Sequence, residues 1–308
     1  MPTRTLTAQQ PGPVLIDARL LGAGGVVTVR TDPTRTEAEI TVHTADDTGE
    51  FADAVRDADL HWDSRGVLTA HVQGNGDGGG MSGSGVFITG DNYGGVVQSV
   101  QNNYGSIVMV SGRDLNISSG QSRFQYRDTL STIRGGSPIT ITAVVPEGSS
   151  VTASTHSADV TAEGTFAEIS ASTKSGDLRA PGQSERVTAR TQSGDIDVEN
   201  SPTITARTIS GDVRLGRTDL AEATTVSGDV TIRDFGGTAQ LKSTSGDIRI
   251  HATAGGDITA KTVSGDITVT GTEQAVTDDL DVHANSMTGE VRIPRSRHNT
   301  GTPRRRSS

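Results

Sequence analysis

The chain contains no cysteine, which excludes disulfides, thiolate zinc sites and a cysteine nucleophile. Aromatic residues make up only 3%, with a single tryptophan, so any core must be assembled from small and β-branched side chains. No apolar run approaches the roughly 18 residues that a membrane-spanning helix needs. No apolar stretch of signal-peptide length follows Met1-Pro2-Thr3-Arg4-Thr5-Leu6 either. The expectation is a protein kept in the cytoplasm, unless it leaves by a non-classical export route.

What the chain has in abundance is threonine, 42 residues, and glycine, 38 residues, in a total of 308. Threonine is stiff at χ1 and suits a pleated surface better than a helix. This composition excludes a helix bundle and, lacking a three-residue glycine period, a collagen-like fibre. The net charge is −10 but unevenly spread. Residues 295–308 carry Arg295, Arg297, Arg304, Arg305 and Arg306 with no acid, and read as a basic disordered tail.

An internal repeat dominates the second half. Its turns are Ser175-Gly176-Asp177, Ser193-Gly194-Asp195, Ser210-Gly211-Asp212, Ser227-Gly228-Asp229, Ser245-Gly246-Asp247 and Ser264-Gly265-Asp266, six near-identical copies. Degenerate copies flank them at Ser157-Ala158-Asp159 and Thr288-Gly289-Glu290, and the spacings run 18, 18, 17, 17, 18, 19 and 24. After each Asp come alternating aliphatics, such as Ile196 and Val198 or Val213 and Leu215, and half a repeat earlier lies a second alternating segment, such as Ile204 and Ala206. Period-two alternation means strands. The reading is a β-solenoid, or β-helix, of 17–18-residue repeats with two strands per coil, in which a tight third strand is not excluded. Ile196, Val213, Val230, Ile248 and Ile267 are expected to stack as one buried column.

In each turn glycine suits a positive φ, while Ser and Asp cap nearby amides. The Asp column also raises calcium. A calcium-binding β-roll, however, needs several upstream glycine carbonyls and an Asp two residues before the aliphatic. Here Asp directly precedes it, so turn capping is favoured and no cofactor or metal is expected.

The Thr-x-Ser-Gly-Asp-[Ile/Val]-x-[Ile/Val] repeats, entered through Ile139-Thr140-Ile141-Thr142-Ala143-Val144-Val145-Pro146, resemble the bacterial "putative adhesin" domain family of unknown function over residues 138–294. The resemblance implies a right-handed β-helical solenoid and carries over no catalytic residue.

The N-terminal half reads differently. Strands at Val14–Leu20, Val26–Arg30, Ala38–His43, Asp59–Trp62 and Val67–Val72, with one helix at Glu50–Ala58, suggest a small β-rich domain over residues 1–73. Residues 74–85 hold seven glycines in the twelve positions from Gly74 to Gly85 and read as a linker. Residues 86–137 read as an irregular β segment, possible early rungs of the solenoid. Alternatively its Gln98, Gln101, Asn102 and Asn103 form amide ladders between chains, a route to self-assembly.

No constellation for catalysis stands out: the solenoid's acids are repeated turn residues, and a glycosidase would need a paired-carboxylate cleft. Two outward columns carry cations instead. One precedes the turn, with Arg190, Arg207, Thr224, Lys242 and Lys261. The other follows it, with Arg179, Asp197, Arg214, Thr231, Arg249, Thr268 and Arg292. They either offset the Asp column or recognise an anionic polymer or acidic protein; nucleic acid is not favoured. A third column, Ile209, Val226, Val263 and Met287, reads as an apolar stripe for docking the N-terminal domain. The function expected is a non-enzymatic adhesin-like or scaffold module, the alternative being a polysaccharide-binding or polysaccharide-active β-helix.

Overall fold

A computed structural model describes residues 1–74 and 137–294. The readings of a Gly-rich linker, an irregular β segment and a basic tail fall almost wholly outside the described residues. In chain order the elements are β1 (Thr3–Thr7), β2 (Leu15–Leu21), β3 (Gly25–Thr31), β4 (Glu39–His43), α1 (Glu50–Arg56), β5 (Asp59–Asp63) and β6 (Val67–Gln73). There follow β7 (Ile139–Val145), β8 (Ser150–Thr155), β9 (Asp159–Glu163), β10 (Thr165–Ser172), β11 (Leu178–Arg190), β12 (Ile196–Asn200) and β13 (Thr203–Arg207). The last are β14 (Val213–Thr224), β15 (Val230–Lys242), β16 (Ile248–Ser264), β17 (Ile267–Gly271), α2 (Glu273–Thr277), β18 (Leu280–Thr288) and β19 (Val291–Arg292). The protein is all-β, with two short helices among the described residues.

The strands form two facing stacks. The first runs β1-β4-β7-β3-β9-β11-β12-β14-β15-β16-β17-β19. The second runs β5-β6-β2-β8-β10-β11-β13-β14-β15-β16-β18. Strands β11, β14, β15 and β16 belong to both because they continue round a corner. Register shifts at Ala180/Gln183, Thr218/Leu220 and Ile232/Phe235 mark the bend, and they give the coil a third short side. Twelve strands at about 4.8 Å make a stack roughly 50 Å long.

Between the stacks the apolar positions meet rung on rung. Ile196, Val213, Val230, Ile248 and Ile267 are in direct register and fully buried. From the other side come Ile204, Ala221, Ala239 and Ile258, also buried and in register. Aliphatics facing alanines keep the coil thin, and among the described residues Phe166 and Phe235 are the only fully buried aromatics. Each buried Val or Ile contributes about 1.5–3 kcal/mol of transfer free energy, and no rung buries its face without its neighbours.

Residues 1–73, read from sequence as a domain of their own, share this sheet with the repeats. Strand β7 lies between β3 and β4, parallel to one and antiparallel to the other. Strand β8 is paired with β2 on one side and β10 on the other, and β3 is the neighbour of β9. The first rungs are thus built from two stretches of chain interleaved. The reason is chemical: β2 (Leu15–Leu21) and β3 (Gly25–Thr31) bury Ile16, Ala18, Leu20, Val27 and Val29 in the same alternation as the repeats, so they complete coils of the same shape.

The ends differ. At one, β1 and β5 pair antiparallel with β4 and β6, and α1 packs against β1 and β6, burying Ala52, Ala54 and Val55. At the other, α2 is inserted before β18, which explains the long final repeat spacing. Its N-cap Thr272 Oγ1 accepts a hydrogen bond from the Ala275 N–H at 3.1 Å. Inward-facing Leu280, Val282 and Ala284 of β18 are only half-buried.

Candidate functional site

The repeated turn edge is where most of the sequence-selected residues gather, and its chemistry runs between coils rather than within them. The inward hydroxyls of Thr191, Thr208, Thr225, Ser243 and Thr262 donate to the carbonyls of Gly176, Gly194, Gly211, Gly228 and Gly246 in the preceding coil at 3.2–3.4 Å. The glycines stack so closely that a Cβ on Gly194, Gly211, Gly228, Gly246 or Gly265 would lie 2.0–2.2 Å from the carbonyl oxygen of the glycine below. Positive φ is therefore not the general reason for glycine here. Of the six turn glycines only Gly246 (155°) and Gly265 (148°) have it; close approach of backbones is what all six share.

The aspartates act across the same gap. Oδ1 of Asp159, Asp177, Asp195, Asp212, Asp229 and Asp247 each accepts the backbone N–H of the next coil's Asp at 2.8–3.0 Å, and Asp266 does the same for Glu290. This replaces the local Asx-turn role expected from sequence. The second carboxylate oxygens face the column that follows the turn. Arg214 forks across two coils, to Asp195 Oδ2 at 2.9 Å and Asp212 Oδ2 at 2.7 Å. Arg249 repeats the fork on Asp229, at 2.8 Å, and Asp247. Arg179 and Arg292 pair with Asp177 and Glu290, both at 2.7 Å. Burial pushes the Asp195 carboxyl up, but the Asp212 N–H, the Arg214 guanidinium and the charge of Arg179 outweigh it and hold Asp195 below the usual carboxylate range. Asp229 is lowered by the same balance of burial against the Asp247 N–H and Arg249. This cationic column is consumed by the acids beside it.

The column before the turn is different. Arg190, Arg207, Thr224, Lys242 and Lys261 occupy successive register positions on the outer face of the second stack, and its four cations are exposed. Arg207 pairs with Glu222 at 2.7 Å. Beside this column runs a polar one of Thr188, Thr205, Glu222, Gln240 and Thr259. On the opposite face a shallow depression of about 320 Å³ is lined by Arg233, Arg249, His251 and Thr270 among others. Its arginines and histidine are engaged, Arg233 with Glu199, Arg249 with its aspartates, and His251 with Thr270.

The apolar stripe does not receive the N-terminal strands. Ile209, Val226, Val263 and Met287 stay 45–75% exposed, because those strands join the opposite end of the stack. Sequence reading missed a polar cluster on β2, β5 and β6, where His71 Nε2 meets Asp17 Oδ2 at 3.1 Å and its ring lies edge-on to His61. Only the strand pairing brings those residues together.

A family model described as Toastrack DUF4097 matches residues 88–308. Among solved structures, one described as a putative adhesin from Bacteroides fragilis is similar at 13% identity and TM-score 0.39, over 94% of this chain and 97% of that one. A second, described as a putative lipid binding protein from Parabacteroides distasonis, has 10% identity and TM-score 0.44 over 95% and 97%. No curated protein matches the chain.

Proposed function

Taking as premise that the chain belongs to the Toastrack DUF4097 family, we propose that it is a non-enzymatic, adhesin-like interaction module. We read its coil as right-handed, with a repeat of 17–18 residues, serving as a stiff platform. The observation that supports this is the register of the second stack: from Arg190 to Lys261 each coil presents its residues at the same place as the last, the register shifts being confined to the corner. A surface of that kind suits an extended partner touched at many equivalent points, each weakly. The turn residues Ser, Gly and Asp hold the platform and are not themselves the contact.

A second reading, a polysaccharide-binding β-helix, is favoured by the columns of Thr, Gln and cations on the second stack. The test of the module reading is recovery of the native complex on tagged full-length protein, with fractionation of the same cells. A partner that co-fractionates and dissociates unaltered supports it. Cleavage of a bound polymer, read as new chain ends, overturns it.

A further inference from the structure

Resting on that reading, we infer that the cationic column of the second stack binds a linear anionic polysaccharide laid along the solenoid axis. The two cation columns are alike in sequence and differ in occupancy. On the first stack Arg179, Arg214, Arg249 and Arg292 are each bound to acids of the turn. On the second, Arg190, Lys242 and Lys261 have no acidic partner among the described residues, and Arg207 has only an exposed contact with Glu222. An exposed pair of that kind contributes little and is readily exchanged for another anion.

Arg190 adjoins Arg207 in register, and Lys242 adjoins Lys261. Their backbones are about 4.8 Å apart, well inside the roughly 8 Å screening length at physiological salt. Like charges that close repel; Glu222 reaches only Arg207, and the acids of the turn are already shared with arginines. A polymer with an anionic group every few ångströms relieves this repulsion and releases its own counterions.

Two features favour a polysaccharide over nucleic acid. The parallel column of Thr188, Thr205, Gln240 and Thr259, interrupted by Glu222, supplies hydroxyl and amide groups that match sugar hydroxyls. Among the described residues no Phe, Tyr or Trp lies on this face, Phe166 and Phe235 being buried in the core, whereas single-stranded nucleic acid is gripped largely by stacking. The net charge of −10 opposes any polyanion at long range, so binding is weak and strongly salt-dependent.

The test uses full-length protein and three probes: heparin, polygalacturonate and a random-sequence DNA duplex. The parent is expected to bind both polysaccharides at low salt. With three or four cations engaged, affinity should fall roughly 20–50-fold between 50 and 200 mM salt. Replacing Arg190→Ser, Arg207→Ser, Lys242→Ser and Lys261→Ser together should weaken both polysaccharides at least about tenfold while the melting temperature stays level or rises. Lys242→Arg with Lys261→Arg should retain binding, and serines at Arg295, Arg297, Arg304, Arg305 and Arg306 should leave it in place. The inference is overturned by unchanged affinity in the fourfold variant, by loss in the tail variant alone, by tighter binding of DNA, or by no binding of the parent. If the fourfold variant still recovers the native partner, this inference fails and the module reading stands.

Discussion

At the scale of the residue, the turn motif couples coils through three separate contacts, and each can be removed singly. Gly228→Ala places a methyl against the Gly211 carbonyl oxygen, at 2.0 Å before relaxation. Neither partner is a flexible side chain, so the cost should reach about 2–3 kcal/mol. Gly24→Ala, with open space at its Cβ and no positive φ, is the near-neutral control in the same thermal melts. The arginine forks act through charge. Because Asp195 and Asp229 lie below their ordinary value of 3.8 when folded, the stabilisation they carry is complete above that value and lost as pH falls through the lowered one. Arg214→Ala with Arg249→Ala should therefore destabilise at pH 7, by roughly 0.5–1 kcal/mol per fork after solvent screening. The gap to the parent should close as pH falls below the ordinary value of 3.8 and through the lowered ones; a gap that persists undiminished in strong acid would refute the charge account. The same occupancy bears on calcium. With Oδ1 taken by an amide and Oδ2 by a guanidinium along most of the column, melts in excess calcium and in chelator should coincide, since a ligand selective for the native state raises its melting temperature.

At the scale of the element, a strand and the turn that leads into it give opposite expectations. Val230→Asp puts an unpaired carboxylate between buried Val213 and Ile248 and should cost at least about 3 kcal/mol. Amide exchange should quicken over several contiguous coils, because neighbours stabilise one another. Val226→Asp, four residues earlier on the exposed stripe, should stay within about 0.5 kcal/mol of the parent. Strands of this sort were legible because alternation is a local signal. The expected Val26–Arg30 and Val67–Val72 became Gly25–Thr31 and Val67–Gln73, a shift of one residue at most. What alternation does not encode is partnership. Arg190 and Arg214 look equivalent in sequence, and only the register shows that the second pairs with two aspartates while the first pairs with no acid among the described residues. The inter-coil contacts of Asp and Gly are not visible in sequence for the same cause: their partners sit one coil away, some 17–19 residues along the chain.

At the scale of the whole molecule, the break that composition suggests near residue 74 is not a break in the structure. Parallel pairing between remote segments leaves no periodic trace, so nothing in residues 1–73 announces that β2 and β3 would interleave with β7 and β8. The consequence is mutual dependence. Both neighbours of β7, the strands β3 and β4, lie in the N-terminal stretch, and so does one neighbour each of β8 and β9. Without residues 1–74, β7 loses every strand partner, its buried Ile139, Ile141 and Val145 face water, and two unpaired edges open at the head of the stack. Exposed apolar edges of that kind pair with other chains. A chain of residues 75–308 alone should therefore be recovered as aggregate. Residues 1–74 and 75–308 co-expressed as separate polypeptides should co-purify as a folded complex, because the contacts that join them are non-covalent and in register. If residues 75–308 alone were monomeric and melted cooperatively at the temperature of the whole protein, the interleaved stack would be wrong and two independent domains would be the better description.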